Sequence, residues 1–298
     1  VDYREALEIA ASALLGLKGH TVDVLTVSRP SDLQGAVEIS KIVSKLSPII
    51  GNLLEYALAR HLNETQIWPD GCRWIRQDPG FPDAILSGMP DIQPGIEVKT
   101  WFPLSTEITA RFRDSQNHFQ ANQIKVAVVC WMLENVLAGQ PKIVDIWIGD
   151  AIDVAKARDT HYHNPPYYVV MEPEDTSSRT RNLQQTNCHG HIFQGTAEQL
   201  AEAIALVDSW GDSAKEYRPD RDCQIRLRQI TGRFPYRLDT NFAKMDRIVL
   251  PSLETFKTNV LGTLYAGRTI QSWARAINSG NPTALQSLID PSAPTPVQ

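Results

Sequence analysis

The sequence predicts a single α/β domain in which a mixed β-sheet is flanked by helices. Three observations predict it. Residues up to 63 place their apolar side chains at helical spacing, residues from 73 to 172 turn to short runs rich in β-branched and aromatic residues, and helical spacing returns after 195. Helices, then strands, then helices again, with no clear linker between them, describe one layered domain over all 298 residues.

Taken in order, residues 4–17 (REALEIAASALLGL) read as an amphipathic helix, and a loop around SRPSD at 28–32 follows it. Val37, Ile42, Val43 and Leu46 keep helical spacing over 35–46. The next helix, 47–63, starts with Ser47 as N-cap and Pro48 as its first residue. Its Ile50, Leu53, Leu54, Ala57, Leu58 and Leu62 form a core-facing stripe. FPDAIL at 81–86 and GIEVKTW at 95–101 read as strands, and Gly88, Pro90, Pro94 and Gly95 supply the turn between them. Residues 124–133, 142–152 and 167–172 are three further strands, and 195–210 is a helix. Residues 211–250 are polar and basic with weak periodicity, a last helix covers 253–278, and the tail from 286 to 298 is expected to be loose.

Hydrophobic residues make up 42% of the chain and charged ones 21%, the composition of a soluble globular protein. No apolar run approaches the ~20 residues of a membrane span, and the acidic, amphipathic stretch VDYREALEIA is not what is expected of a secretory signal. Cys72, Cys130, Cys188 and Cys223 are scattered, as expected of reduced thiols in a cytoplasmic protein. Cys188, His189 and His191, with His161 and His163 upstream, lack the paired spacings of structural zinc sites, so zinc is not assigned. Loops of the form GxxxxGK[ST], GxGxxG and GxSxG are missing, which leaves ATP-driven, dinucleotide and α/β-hydrolase readings without their signatures. The net charge of −5 offers no global field for nucleic acid, so a local one has to carry that argument.

The stretch FPDAILSGMPDIQPGIEVKT (81–100) puts acids and a lysine where strand residues should be apolar. Residues two apart in a strand share a face, so Glu97 and Lys99 point one way while Ile96 and Val98 point into the core. Paired as a hairpin, the two strands set Asp83 opposite Glu97 in a suitable register. Two carboxylates converging with an ammonium suit metal-assisted hydrolysis of a phosphodiester. An exposed ion pair on a surface hairpin is the plainer reading of Glu97 and Lys99 taken alone. Asp91 is the rival first acid, but six residues before Glu97 leave too little room for two strands, so the spacing favours Asp83.

The pattern apolar-Pro-Asp, a Gly/Pro turn, then apolar-Glu-apolar-Lys resembles the PD-(D/E)xK nuclease superfamily, matched here by Pro82-Asp83 and Glu97-Val98-Lys99. The resemblance implies a restriction-endonuclease-like core over about 47–152, with DNA-contacting and helical elaborations over about 153–285. It implies that Asp83, Glu97 and the Val98 carbonyl hold Mg²⁺ and that Lys99 is catalytic. Glu55, on the helix before the hairpin, matches a glutamate by which members reach the metal, and it shares a face with Gly51, Asn52 and Ala59. A solvent-facing glutamate is the other reading of Glu55.

DNA contacts are expected from three polar segments. Residues 111–123 carry Arg111, Arg113, Gln116, Asn117 and Gln120, and residues 177–191 carry Arg179 and Arg181. Residues 217–247 carry Arg226, Arg228, Arg233 and Arg237 among other cations, with Tyr217, Phe234 and Tyr236 interleaved. Arginine suits bidentate phosphate or guanine contacts, and Gln and Asn suit adenine. A salt-bridged surface is the competing reading of the last segment, since Asp220 and Asp222 flank Arg221. With this length and no ATPase segment, the resemblance implies a cytoplasmic type II restriction endonuclease leaving 5′-phosphate and 3′-hydroxyl ends. Such an enzyme acts on double-stranded DNA as a homodimer, because a palindrome needs two symmetric sites, and a cognate methyltransferase acts on the same sequence. A repair, recombination or transposition nuclease on the same core is the runner-up, and a non-catalytic DNA-binding module is the reading from another class.

Overall fold

The computed structural model describes residues 1–78, 80–105, 107–120, 122–175 and 186–289. The chain opens with α1 (Tyr3–Leu15), α2 (Leu33–Ile42), a 3₁₀ turn (Val43–Leu46) and α3 (Ser47–Thr65). Strands β1 (Arg73–Arg76), β2 (Ala84–Ser87), β3 (Gly95–Trp101), β4 (Ile124–Leu133) and β5 (Pro141–Asp150) follow. Next come α4 (Ala151–Tyr162), β6 (Tyr168–Met171), β7 (His189–Phe193), α5 (Ala197–Asp208), α6 (Arg221–Arg233) and β8 (Tyr236–Asp239). The chain then forms α7 (Pro251–Gly262), β9 (Leu264–Tyr265), β10 (Arg268–Thr269), α8 (Ile270–Asn278) and α9 (Pro282–Ile289).

These elements cluster into two compact units. The first holds Val1–Ala110, Lys125–Gly149 and the chain from Pro251 onward; the second holds Arg111–Ile124 and Asp150–Leu250.

The first unit is built on a mixed five-stranded sheet in the order β1-β2-β3-β4-β5, flanked by helices. Strand β4 is buried at nearly every position, which its unbroken apolar run IKVAVVCWML requires of a strand covered on both faces. Phe102 stacks on its Trp131 with ring centroids 4.6 Å apart. The chain after α1 lies along β5: Val22 N donates to Pro141 O at 2.8 Å and Val27 N to Gly139 O at 3.0 Å, which occupies backbone groups that an edge strand would leave open. Asp2 caps α1 by accepting from the backbone N of Arg4 and Glu5. Helix α3 begins at Ser47 itself, with Leu46 in the capping position, and buries Ile50, Leu54, Leu58 and Leu62.

The second unit holds the antiparallel sheet β6-β7-β8. Val169 and Val170 alternate across it. Val169 packs into a cluster with Ala203 and Val207 of α5 and Leu227 and Ile230 of α6, while Val170 joins Cys188, Phe242 and Ala243.

Three further expectations are corrected. Residues 211–250, read as weakly periodic, contain α6 and β8; the helix hides behind its arginines, but Cys223, Leu227 and Ile230 keep the i, i+4, i+7 spacing of a buried stripe. The single helix over 253–278 is broken by the β9–β10 hairpin, whose central Ala266 and Gly267 both take positive φ, as a tight two-residue turn demands. Residues 286–289, assigned to a loose tail, belong to α9, which Asn281 caps by accepting from Ala284 N at 3.1 Å.

Candidate active site

The β2–β3 pairing is antiparallel and sets Ala84 opposite Ile96 and Ile85 opposite Gly95. Continued by one residue, that register sets Asp83 opposite Glu97. The side chains confirm the approach: Val98 N donates to Asp83 Oδ2 at 2.7 Å, and Asp83 N donates to Glu97 Oε2 at 3.2 Å. Continued by two residues, the register sets Pro82 opposite Val98, and a proline has no N–H to offer the Val98 carbonyl. The same proline ends the strand, so β2 begins at Ala84 rather than at residue 81.

The Pro-Asp step is held from two sides. Gln77 N donates to Asp83 O at 2.7 Å and Gln77 Nε2 to Pro82 O at 2.9 Å. Across the hairpin Pro82 lies against Gly95 so closely that a Cβ there would fall 2.1 Å from Pro82 Cγ. Only glycine leaves room for the proline.

Glu97 is 6% exposed, and its Oε1 pairs with Nζ of Lys99, its neighbour on the same face of β3. Glu55 reaches the group from α3. Gly51, one turn earlier, lets that helix approach β3: a Cβ on Gly51 would stand 3.0 Å from Thr100 Oγ1. Arg76 of β1 donates to Glu55 Oε2 from Nε at 2.9 Å, and its Nη2 lies 2.8 Å from the same oxygen. The guanidinium also donates to Asn52 Oδ1 and Asp78 Oδ2, both at 2.8 Å, and lies 4.4 Å from the centre of the Tyr56 ring.

Burial raises the pKa of Asp83 most, and the charge of Glu97 adds to it, so that despite Lys99 the carboxyl is pushed up to about 8. Burial also raises Glu55, with Arg76 working against the shift. Burial opposes the charge on Arg76, but Asp78 and Glu55 more than offset it and hold its pKa above the ordinary value. Two carboxylates thus share a place that tolerates two negative charges poorly.

The structure therefore brings Asp83, Glu97 and Lys99 together, with Glu55 near enough for its charge to bear on Asp83. Asp91 is exposed in the turn. Sequence reasoning missed Arg76, Asn52 and Gln77. The signal was faint: Arg76 shares a strand face with buried Trp74, and Asn52 stood on the polar strip of α3.

All the described DNA-contact candidates belong to the second unit. Gln116 Nε2 donates to Asp159 Oδ2 at 2.8 Å and Asn117 Nδ2 to Pro219 O at 3.1 Å. Arg228 pairs with Glu174 at 3.2 Å and donates to Glu172 O, and Arg233 pairs with Glu202 at 3.1 Å. Arg226 makes one long contact, 3.5 Å, with Trp210 O. Arg111, Gln120 and Arg237 are exposed, and Arg113 is half-buried. Arg179 and Arg181 lie outside the described residues. Cys188 does not gather the histidines next to it in sequence. Its sulfur lies within 4.8 Å of ligand atoms of Asp159 and Glu172, but Arg158 and Gln116 hold the first carboxylate, and Ser115 and Tyr217 the second.

No protein-family model, curated protein or solved structure matches the chain in comparison.

Proposed function

We propose that the protein is a Mg²⁺-dependent, sequence-specific endonuclease of double-stranded DNA, a cytoplasmic restriction enzyme of type II acting as a homodimer. The observation that carries this reading is the meeting of Asp83, Glu97 and Lys99 on one hairpin, in the order and register of the Pro-Asp and Glu-x-Lys pattern. A Mg²⁺ ion fits the donor set. Asp83, Glu97 and the Val98 carbonyl offer oxygen only, which a hard cation prefers, and the charges that raise the Asp83 pKa are those a divalent ion would relieve. Bound there, the ion would lower the pKa of a water and neutralise charge on the phosphate.

The chain's own groups do the rest. Glu97 holds Lys99 in place by its ion pair, so the ammonium faces the scissile phosphate and stabilises charge as it builds on the phosphoryl oxygens. Water gives up a proton to solvent and adds to phosphorus, the bond to the 3′ oxygen breaks, and that oxygen takes a proton from solvent, so the ends are 5′-phosphate and 3′-hydroxyl. Arg76 orients Glu55 beside this group and works against the rise that burial imposes on its carboxyl. Incubation of the purified chain with plasmid and Mg²⁺ tests the proposal. Discrete fragments support a restriction enzyme, a smear or structure-specific nicking supports a repair or recombination nuclease, and retarded but uncut DNA supports a binding module.

A further inference from the structure

The second unit contains a cavity of about 140 Å³ lined by Arg113, Asn187, His189, Asp239, Thr240 and Phe242 among others. That is ample room for a tetrahedral oxyanion of five heavy atoms, since one water needs only about 10–15 Å³ on the same measure. We propose that this cavity is a phosphate pocket with Arg113 as its principal ligand. The assignment goes beyond the nuclease reading and does not depend on the hairpin chemistry.

The backbone of Arg113 is fixed on both sides. Phe112 N donates to Ala243 O at 2.8 Å, and Arg113 O accepts from Cys188 N at 2.8 Å. The segment is extended, bridging Lys244 at Arg111 and Asn187 at Asp114, so buried Phe112 faces the core while Arg111 and Arg113 share the opposite face. The charge of Arg111 therefore bears on Arg113. Arg111 is tied by Nε to Thr240 O at 3.2 Å, on the cavity wall.

The charges on this wall act on one another. Burial and then the charge of Arg111 depress the pKa of Arg113, and burial and then the charge of Arg113 depress that of His189. Among the described residues one carboxylate lines the cavity, Asp239, and its oxygens already accept from Tyr168 OH at 3.2 Å and Asn241 N at 2.9 Å. An oxyanion would meet the Arg113 fork, the Asn187 amide, the Thr240 hydroxyl and a ring N–H of His189. These are the donors that phosphate takes.

Phosphate of this kind belongs either to a nucleic acid backbone or to a free phosphate or phosphomonoester. The full chain in EDTA, which leaves DNA uncut, is titrated with inorganic phosphate by calorimetry and with a labelled DNA duplex by anisotropy. Saturable phosphate binding is expected, weakened about tenfold or more in Arg113→Gln. Asp239→Asn keeps the shape of the wall and removes its negative charge, so phosphate binding tightens, an opposite sign that misfolding would not produce. Competition between phosphate and duplex assigns the pocket to a DNA backbone; phosphate binding without competition assigns it to a small phosphate. The proposal is overturned if phosphate does not saturate, if Arg113→Gln binds it as the parent does, or if Asp239→Asn does not bind it more tightly.

Discussion

Replacing Asp83 by asparagine should make the metal-free protein progressively more stable than its parent as the pH rises. The Asp83 carboxyl is pushed from its ordinary 3.8 up to about 8 by burial and by Glu97. Between those values the folded chain holds one proton that the unfolded chain has lost. Stability then falls with pH, because the native state binds more protons than the unfolded state, by about 1.4 kcal/mol per pH unit. The contribution is fully present below pH 4 and gone above pH 8, on the order of 5 kcal/mol across the window. Asparagine cannot ionise, yet still offers an oxygen to the Val98 N–H. Urea denaturation of both proteins in EDTA at several pH values gives the difference directly, and comparing the two cancels the other titrating groups. Added Mg²⁺ should flatten the parent's dependence, since the ion takes the place of the proton, and leave the variant unmoved. Parallel stability curves for parent and variant from pH 4 to 8 would show that Asp83 and Glu97 do not share a buried charge.

Three further perturbations test the packing and the binding face. Gly95→Ala puts a methyl group where Pro82 sits, so it should cost about 1–3 kcal/mol in urea denaturation and lower any cleavage with it; parental stability would contradict the close contact. Arg76→Gln strips Glu55 of its cation and should destabilise by about 1–3 kcal/mol, while Glu55→Gln added to it restores part of the loss. Equal and additive losses would mean that the two do not interact. If exposed Arg237 contacts phosphate, Arg237→Ala should lower the salt dependence of DNA binding by about one unit of slope, with Arg233→Ala, whose cation is paired with Glu202, changing it less; the reverse ranking would place Arg233 at the backbone.

Much of the first unit was legible because its signals are local. The strands 95–101 and 124–133 have the bounds read from their runs of β-branched and aromatic residues. The choice of Asp83 over Asp91 followed from hairpin length, and the observed register places Asp83 at Glu97. What the sequence hides depends on partners far apart in the chain. Arg76 answers to Asn52 and Glu55, on a helix more than twenty residues earlier. Gln116 is polar in sequence like its neighbours, and only the fold commits it to Asp159, which Arg158 also holds. The two units interleave, so their boundaries at 110, 124, 149 and 250 carry no linker composition to announce them. Helix α6 was obscured because its arginines outweigh, in any average, the buried stripe of Cys223, Leu227 and Ile230.

The central claim is that Asp83, Glu97 and Lys99 form one hydrolytic site and that Asp91 does not belong to it. Single-turnover cleavage of plasmid DNA with Mg²⁺, at saturating enzyme, measures this for the parent and for Asp83→Ala, Glu97→Ala, Lys99→Ala and Asp91→Ala. The account predicts discrete fragments from the parent, rates lower by about 10²–10³-fold or more in the first three variants with DNA still bound, and a near-parental rate for Asp91→Ala. Parental cleavage by Asp83→Ala or Lys99→Ala, or its loss in Asp91→Ala alone, would contradict it.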